Sequence, residues 1–467
     1  MTAAAPARPQ GRVLSTLNED GSRRWLRPKP APGRFWRARR LVAVVLMAVF
    51  FAVPYLRMNG RPLVLLDIPR REFTLFGYTF LPTDTMLLML LMVSIALGIF
   101  LLTALFGRVW CGWACPQTVY MEFLFRPIER WLEGGRSGSL QLDREKRHLA
   151  PRRLLKHAIY LLLALFLAHT FLAYFTGIDK LVQWVQMSPA EHPTAFLIMA
   201  GTTALIFADF AWFREQTCIV ACPYGRLQSV LLDRKSLIVG YDPNRGEPRM
   251  RGVKSRAATA GDCIDCGACV LTCPTGIDIR DGLQMECIHC TQCADACDEI
   301  MDQVGTPRGL IRYTSQDELA GAPHRTLRPR VVLYPAVLAL SLGLLVYNLG
   351  TMADTDVTLL RGVGAPFTRE PNGTVVNQVR IKLTNRARTD RAYQVELAAP
   401  AEATLVIPVN PVPVRAGEVV ETSVFVVLEE GGFTRGERQA IFRLSDGAEF
   451  QKDFTYRLLG PGSGSGP

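Results

Sequence analysis

"CIDCGACVLTCP", residues 263–274, and "CIHCTQCADACD", residues 287–298, repeat one spacing of four cysteines, C-x2-C-x2-C-x3-C. Three thiolates from one tight loop and a fourth from elsewhere are what a cubane iron–sulfur cluster takes. Where this run occurs twice, the fourth cysteine of each run serves the other cluster. On that pattern the first set is Cys263, Cys266, Cys269 and Cys297, and the second is Cys287, Cys290, Cys293 and Cys273. Gly267 suits a close turn, and Pro274 follows the fourth cysteine as the motif has it, whereas Asp298 stands at the corresponding place in the second run. Zinc also uses C-x2-C pairs, but two identical runs of four fit two 4Fe–4S clusters better. His289, inside the second run, reads as an exposed spacer.

The rest of the chain is full of membrane-length apolar runs. A helix needs about 20 residues to cross about 30 Å of hydrocarbon. Five runs qualify: 37–55, 85–106, 154–175, 195–213 and 331–350. His157, His169 and Asp209 fall in the third and fourth and read as interfacial or packing groups. All 12 cysteines of the 467-residue chain lie between Cys111 and Cys297, which suits metal binding better than a disulfide-stapled secreted protein. About forty mostly polar and basic residues precede the first run, unlike a cleavable signal peptide.

Lys and Arg set the expected orientation. Residues 1–40 carry ten, 57–84 four, 107–153 nine, 176–194 one and 214–330 fifteen. The alternation places the N-terminus, the 107–153 loop and the 214–330 segment in the cytoplasm, and the C-terminal segment outside, in a periplasm. The net charge of +11 therefore reads as topology and calls for no nucleic acid.

After the fifth run the pattern changes to period two. In "QVRIKLTN", Val379, Ile381 and Leu383 share one face and Arg380, Lys382 and Thr384 the other. About seven such segments, separated by turn signals at Asn372, Gly431 and Asp446, suggest an immunoglobulin-like sandwich with a structural or partner-binding role. The ending "GPGSGSGP" reads as disordered.

Four cysteines remain. "CGWACP" holds Cys111 and Cys115 after the second run, and "CIVACP" holds Cys218 and Cys222 after the fourth. Both read C-x3-C-P. On a helix, residues i and i+4 share a face, and the proline then ends or bends it. Both pairs fall at the cytoplasmic edge, where they can form one four-thiolate site holding a third cluster, copper, or a redox dithiol. Thiolates suit Cu(I), zinc and iron–sulfur clusters alike. Weaker features read blandly: Met86, Met89 and Met92 as gap-fillers between helices, "RRWLRPKP" as a solvated basic arm, and "YDPNRGEPR" (241–249) as a polar linker.

The expected architecture is a multi-domain membrane protein: an α-helical transmembrane bundle of five spans, a cytoplasmic two-cluster ferredoxin-like α+β insert, and a C-terminal all-β immunoglobulin-like sandwich. Its limits are a basic cytoplasmic arm (1–36), a four-span domain (37–213), the ferredoxin-like domain (214–330), the fifth span (331–350), the extracytoplasmic domain (351–460) and a disordered tail (461–467).

"TLNEDGSRRWLRPKP", "LLDIPRREFTLFGYTFLPTD", "VWCGWACPQTVYMEFLF", "CIVACPYGRLQSVLLD" and "YDPNRGEPR" resemble the CcoG family (also called FixG or RdxA) of cytochrome c oxidase accessory proteins. The order of spans, cysteine pairs, twin motif and tail matches over nearly the whole chain. The resemblance implies a bacterial inner-membrane oxidoreductase that reduces Cu(II) to Cu(I). It implies handover of the copper ion to a P-type copper-exporting ATPase and to assembly of the cbb-type oxidase. The electron donor leaves no trace in the sequence. Alternatives are a quinone-linked electron-transfer protein without a copper role and a non-enzymatic assembly scaffold.

Overall fold

The computed structural model describes residues 14–461 apart from residues 19, 21, 59, 70–71, 77, 81–84, 146, 148, 252–259, 324–328, 352, 388 and 448–449. Most of the segment expected to be disordered, 462–467, lies outside the described residues.

Among the described residues five helices are long and apolar enough to span a membrane: Arg34–Tyr55, Met86–Phe106, Pro151–Thr176, Pro193–Phe213 and Pro329–Gly350. Proline opens the third and fourth, where its missing N–H costs nothing. Gly177, at φ 79°, ends the third. The second and fifth meet through Ser94 and Ser341, whose hydroxyls are 2.9 Å apart. Met86, Met89 and Met92 do not fill gaps between helices. All three side chains are exposed on the bundle surface, the face that meets lipid in a membrane.

The first helix begins in an unusual way. Its leading N–H groups, from Phe35 and Trp36, donate to the Asp295 carboxylate at 3.1 and 2.7 Å. Asp295 belongs to the second cysteine run, so that run caps a membrane helix. Gly33 is required here, because a β-carbon would collide with the same carboxylate.

The segment between the fourth and fifth spans has the expected mixed α and β structure. Strands Ile238–Tyr241 and Ile311–Thr314 pair antiparallel, and each cysteine run leads into a helix, Ala268–Thr272 and Gln292–Val304. Val239, Ile277, Ile279, Met301 and Leu310 form the core. The residues "YDPNRGEPR" are therefore ordered: Tyr241 is in a strand, Asp242 caps a helical turn, and Arg245 pairs with Asp262 at 2.5 Å. They close one end of this domain instead of leading to it.

The basic arm is also built in rather than solvated. Leu26 is buried, Lys29 N–H donates to the Leu271 carbonyl at 2.9 Å, and Thr272 returns a bond to the Lys29 carbonyl at 2.8 Å. Arg27 pairs with Glu129 and Asp143, and Arg23 with Glu215. Glu129 also binds Arg214 at 2.9 Å and Lys156 at 3.2 Å. Burial alone would raise the Glu129 carboxyl, but Arg214, Arg27 and Lys156 hold it well below its usual value.

Residues 346–467 form a separate compact unit. One sheet runs in the order 404–406, 419–429, 374–385, 355–361, with 368–369 beside 374–385. The other runs 412–414, 391–399, 437–445, 451–459. Alternate residues Val379, Ile381 and Leu383 of one sheet and Phe442 and Leu444 of the other fill the core. The immunoglobulin-like sandwich is thus present, with nine strands among the described residues; the additional ones are two or three residues long.

Candidate iron–sulfur centres

The two cysteine runs share one backbone path. Asp265 and His289, each the residue before the second cysteine, have φ 51° and 54°; Gly267 and Thr291, each the residue after it, have φ 69° and 58°. Left-handed geometry at three non-glycine residues costs roughly 1–2 kcal/mol each, and its repetition marks a loop shape the site demands.

Two cavities result. Cys263, Cys266, Cys269 and Cys297 line one, with Tyr241 and Arg280. Cys273, Cys287, Cys290 and Cys293 line the other, together with Cys269. These are the two cross-paired sets, and Cys269 lies between them. Burial pushes the thiols of Cys269 and Cys287 up to about 12 and Cys290 to about 11, so a metal group that displaces the protons is what would keep them as thiolates. Among the described residues no three Cys, His, Asp or Glu side chains stand close enough to share one ion. A zinc site, with Zn–S of about 2.3 Å, would draw its four sulfurs much closer than a ring around a cavity. The residues fit a larger all-thiolate group. Asp298, in the place of a second proline, accepts from Gly309 N–H at 2.9 Å and ties its helix to the next strand.

His289 is not an exposed spacer. It is fully buried, and its Nδ1 accepts the Arg108 backbone N–H at 3.1 Å. Its backbone carbonyl accepts from Tyr313 Oη, which in turn accepts from Trp113 Nε1, both at 2.9 Å. The second run is therefore stitched to the segment that carries Cys111 and Cys115.

The four remaining cysteines do not sit as pairs on continuous helix faces. Cys111 lies in the short helix Val109–Trp113, and Cys115 turns out with φ −60° and ψ 127° as the N-cap of Pro116–Tyr120. Cys218 lies in the π-helical turn Thr217–Ala221, and Cys222 caps Pro223–Leu231 in the same extended geometry. In each pair the first helix ends before the second cysteine, at Trp113 and at Ala221, and the following proline opens the next helix, so the second thiol is aimed by the break. The four still converge electrostatically. Cys218 is pushed up to about 12 by burial and then by Cys115, Cys111 and Cys222. Burial likewise raises Cys111, with Arg108 opposing and Cys115 and Cys222 adding to the rise. Asp209 accepts from Gln117 Nε2 at 3.2 Å and from the Thr217 hydroxyl, joining both motifs at the end of the fourth span. His157 packs by stacking on Trp212, and His169 Nδ1 bonds the Leu165 carbonyl at 2.8 Å.

The two regions touch. Cys111 packs against Ile288 and Cys290. Gly112 faces the Cys290 backbone, and its carbonyl accepts from Nε of the fully buried Arg39 at 2.8 Å. The cysteines thus follow one order: Cys266 exposed at one end, the two cavities sharing Cys269, then Cys290 against Cys111. Sequence reasoning missed Arg39, Arg108 and Gly112. Arg39 was counted only as flanking charge, although an arginine at the head of an apolar span is itself a signal.

Residues 213–316 match the family "4Fe-4S dicluster domain", residues 88–135 the family "4Fe-4S binding domain", and residues 345–461 the "IG-like fold at C-terminal of FixG". The chain is 32% identical to nitrogen fixation protein FixG of Rhizobium meliloti, over 95% of this chain and 93% of that one. It is 36% identical to protein RdxB of Cereibacter sphaeroides (86% and 89%) and 37% identical to protein RdxA of the same organism (79% and 81%). With its spans, its paired cysteine runs and its sandwich domain, the chain belongs to the FixG/RdxA family of iron–sulfur electron-transfer proteins.

Proposed function

We propose that the chain reduces Cu(II) to Cu(I) at the cytoplasmic edge of a bacterial inner membrane, for assembly of a cbb-type cytochrome c oxidase. The observation that carries the electron-transfer part is the contact of Cys290 with Cys111 and Gly112, which makes one path of three thiolate sites. In this reading Cys263, Cys266, Cys269 and Cys297 hold one 4Fe–4S cluster, and Cys273, Cys287, Cys290 and Cys293 hold a second. When bound, such clusters supply one-electron transfer. Cys111, Cys115, Cys218 and Cys222 hold a third. The "4Fe-4S binding domain" match supports a cluster there over a copper ion, because Cys111 and Cys115 are the only cysteines in residues 88–135.

The exposed Cys266 end suits entry of electrons from a cytoplasmic donor, and the membrane-edge cysteines suit their exit. Each Cu(II) takes one electron and becomes Cu(I), the ion that soft ligands hold best. A P-type copper-exporting ATPase is the fitting recipient. The charge alternation supports a cytoplasmic N-terminus and a periplasmic sandwich domain.

The test is anaerobic purification of the full chain, iron analysis, and mixing of the dithionite-reduced protein with Cu(II) and a Cu(I)-specific chelator. About twelve irons per chain, as three four-iron clusters require, with cluster reoxidation matched by Cu(I) formation, is the expected result. Clusters that stay reduced in the presence of Cu(II) would rule copper out as the acceptor.

A further inference from the structure

Arg108 follows the second span and precedes Cys111 by three residues. It is buried, with 3% of its surface exposed. Its backbone N–H is fixed by His289 Nδ1, and its guanidinium donates to the Met285 carbonyl, just before Cys287. On the other side, a β-carbon on Gly225 would stand 2.9 Å from Arg108 Nη2. Gly225 follows Cys222 by three residues. One guanidinium therefore touches the loop of the second cavity and the turn of the four-cysteine site.

This cation lacks an ordinary counter-charge. Among the described residues it stands in no ion pair, and its Nε has no hydrogen-bond partner. A buried, uncompensated charge is strongly unfavourable, so an anion is needed nearby. The thiolates are the available anions: the Met285 carbonyl that the guanidinium holds lies two residues before Cys287, and Cys111 follows Arg108 by three. Other basic groups lie near these sites. Arg280, beside Cys269, is paired with Asp265 and Asp278. Arg39 bonds the Gly112 carbonyl next to Cys111, and Gly112 backs onto Cys290, so Arg39 sits at the junction of the two sites.

We propose that Arg108 is an electrostatic positioning residue shared by two redox sites, its fixed charge favouring the reduced state of both the second dicluster site and the four-cysteine site. Each added electron makes a thiolate-bound cluster more negative, so a fixed cation at low dielectric stabilises the reduced form. This rests on the cluster assignment under Proposed function.

The test is a potentiometric titration of the full chain followed by electron paramagnetic resonance, on the wild type, Arg108→Gln and Arg108→Lys. In Arg108→Gln the reduced-to-oxidised ratio at a fixed potential should fall about tenfold at both sites, equivalent to about 59 mV for a one-electron couple. The Cys263-containing site should not move. Arg108→Lys should recover most of the shift. Unchanged ratios in Arg108→Gln at full iron content would overturn the proposal, as would an equal shift at all three sites. Loss of iron from both Arg108 variants would make Arg108 a brace for the loop and also overturn it. Eight irons in the wild type would remove the third cluster and the sharing together; twelve irons with unmoved potentials would sink this proposal alone.

Discussion

Gly112 and Cys290 are in backbone contact: a β-carbon on Gly112 would stand 2.8 Å from Cys290 Cα and 2.9 Å from its nitrogen. The neighbours are main chain, so they cannot swing aside. Gly112→Ala must push the Cys111 helix away from the second cysteine run. Overpacking of this kind costs roughly 1–3 kcal/mol. The expected outcome is full iron content, a lower melting midpoint, and severalfold slower reoxidation of the dicluster when Cu(II) is added in a stopped-flow mixer. Reoxidation at the wild-type rate would mean that electrons do not cross at this contact.

The twin cysteine motif, the five spans and the sandwich were legible because each is a local pattern. Cysteine spacing, run length and period-two alternation survive without knowledge of the neighbours. The Gly112–Cys290 contact was not legible, since it joins segments far apart in the chain and one partner has no side chain. His289 was misjudged for a related reason. Its burial comes from Gly107 and Arg108, which reach it from the C-terminal end of the second span. The basic arm failed too, because charge patterning assumes solvent on the outer side, whereas here carboxylates on three other segments wait for Arg23 and Arg27. The C-x3-C-P spacing was read through the wrong geometry. The motif aims its second thiol by ending a helix, not by continuing one.

Asp295 caps the first membrane helix from within the second cysteine run. Removing an N-cap carboxylate costs about 0.5–2 kcal/mol. Asp295→Ala should therefore lower the midpoint of thermal cluster loss, followed by visible absorbance, and Asp295→Asn should lower it less, since an amide oxygen still caps. Equal loss in both variants would mean that the charge, rather than the hydrogen bonds, holds the helix start.

The sandwich has its own core and forms its own unit. A fragment of residues 351–461 should fold alone, with a β-type circular dichroism spectrum and a cooperative melt. Phe442 is fully buried in its centre, and Phe442→Ala should destabilise the fragment by roughly 3–5 kcal/mol. An unfolded wild-type fragment would show that this core needs the rest of the chain.

Glu129 gathers Arg27, Lys156 and Arg214 in a site where all four side chains are buried. Removing one partner of a buried pair costs roughly 3–5 kcal/mol, because the other charges stay behind. Glu129→Gln should detach the N-terminal arm, and limited proteolysis between Arg23 and Lys29 reads this directly. The pH dependence has a definite sign. The folded carboxyl is held well below its usual value of 4.5, so its contribution to stability is complete above that pH and drains away as pH falls toward the folded value. Wild-type protein should therefore resist cleavage of the arm down to about 4.5 and lose that resistance below it. Glu129→Gln should be cleaved at every pH with no such transition, since it has no carboxyl to protonate. A variant that keeps the wild-type acid transition would assign it to Asp143, whose carboxyl binds the same arm through Arg27 and is held below its usual value.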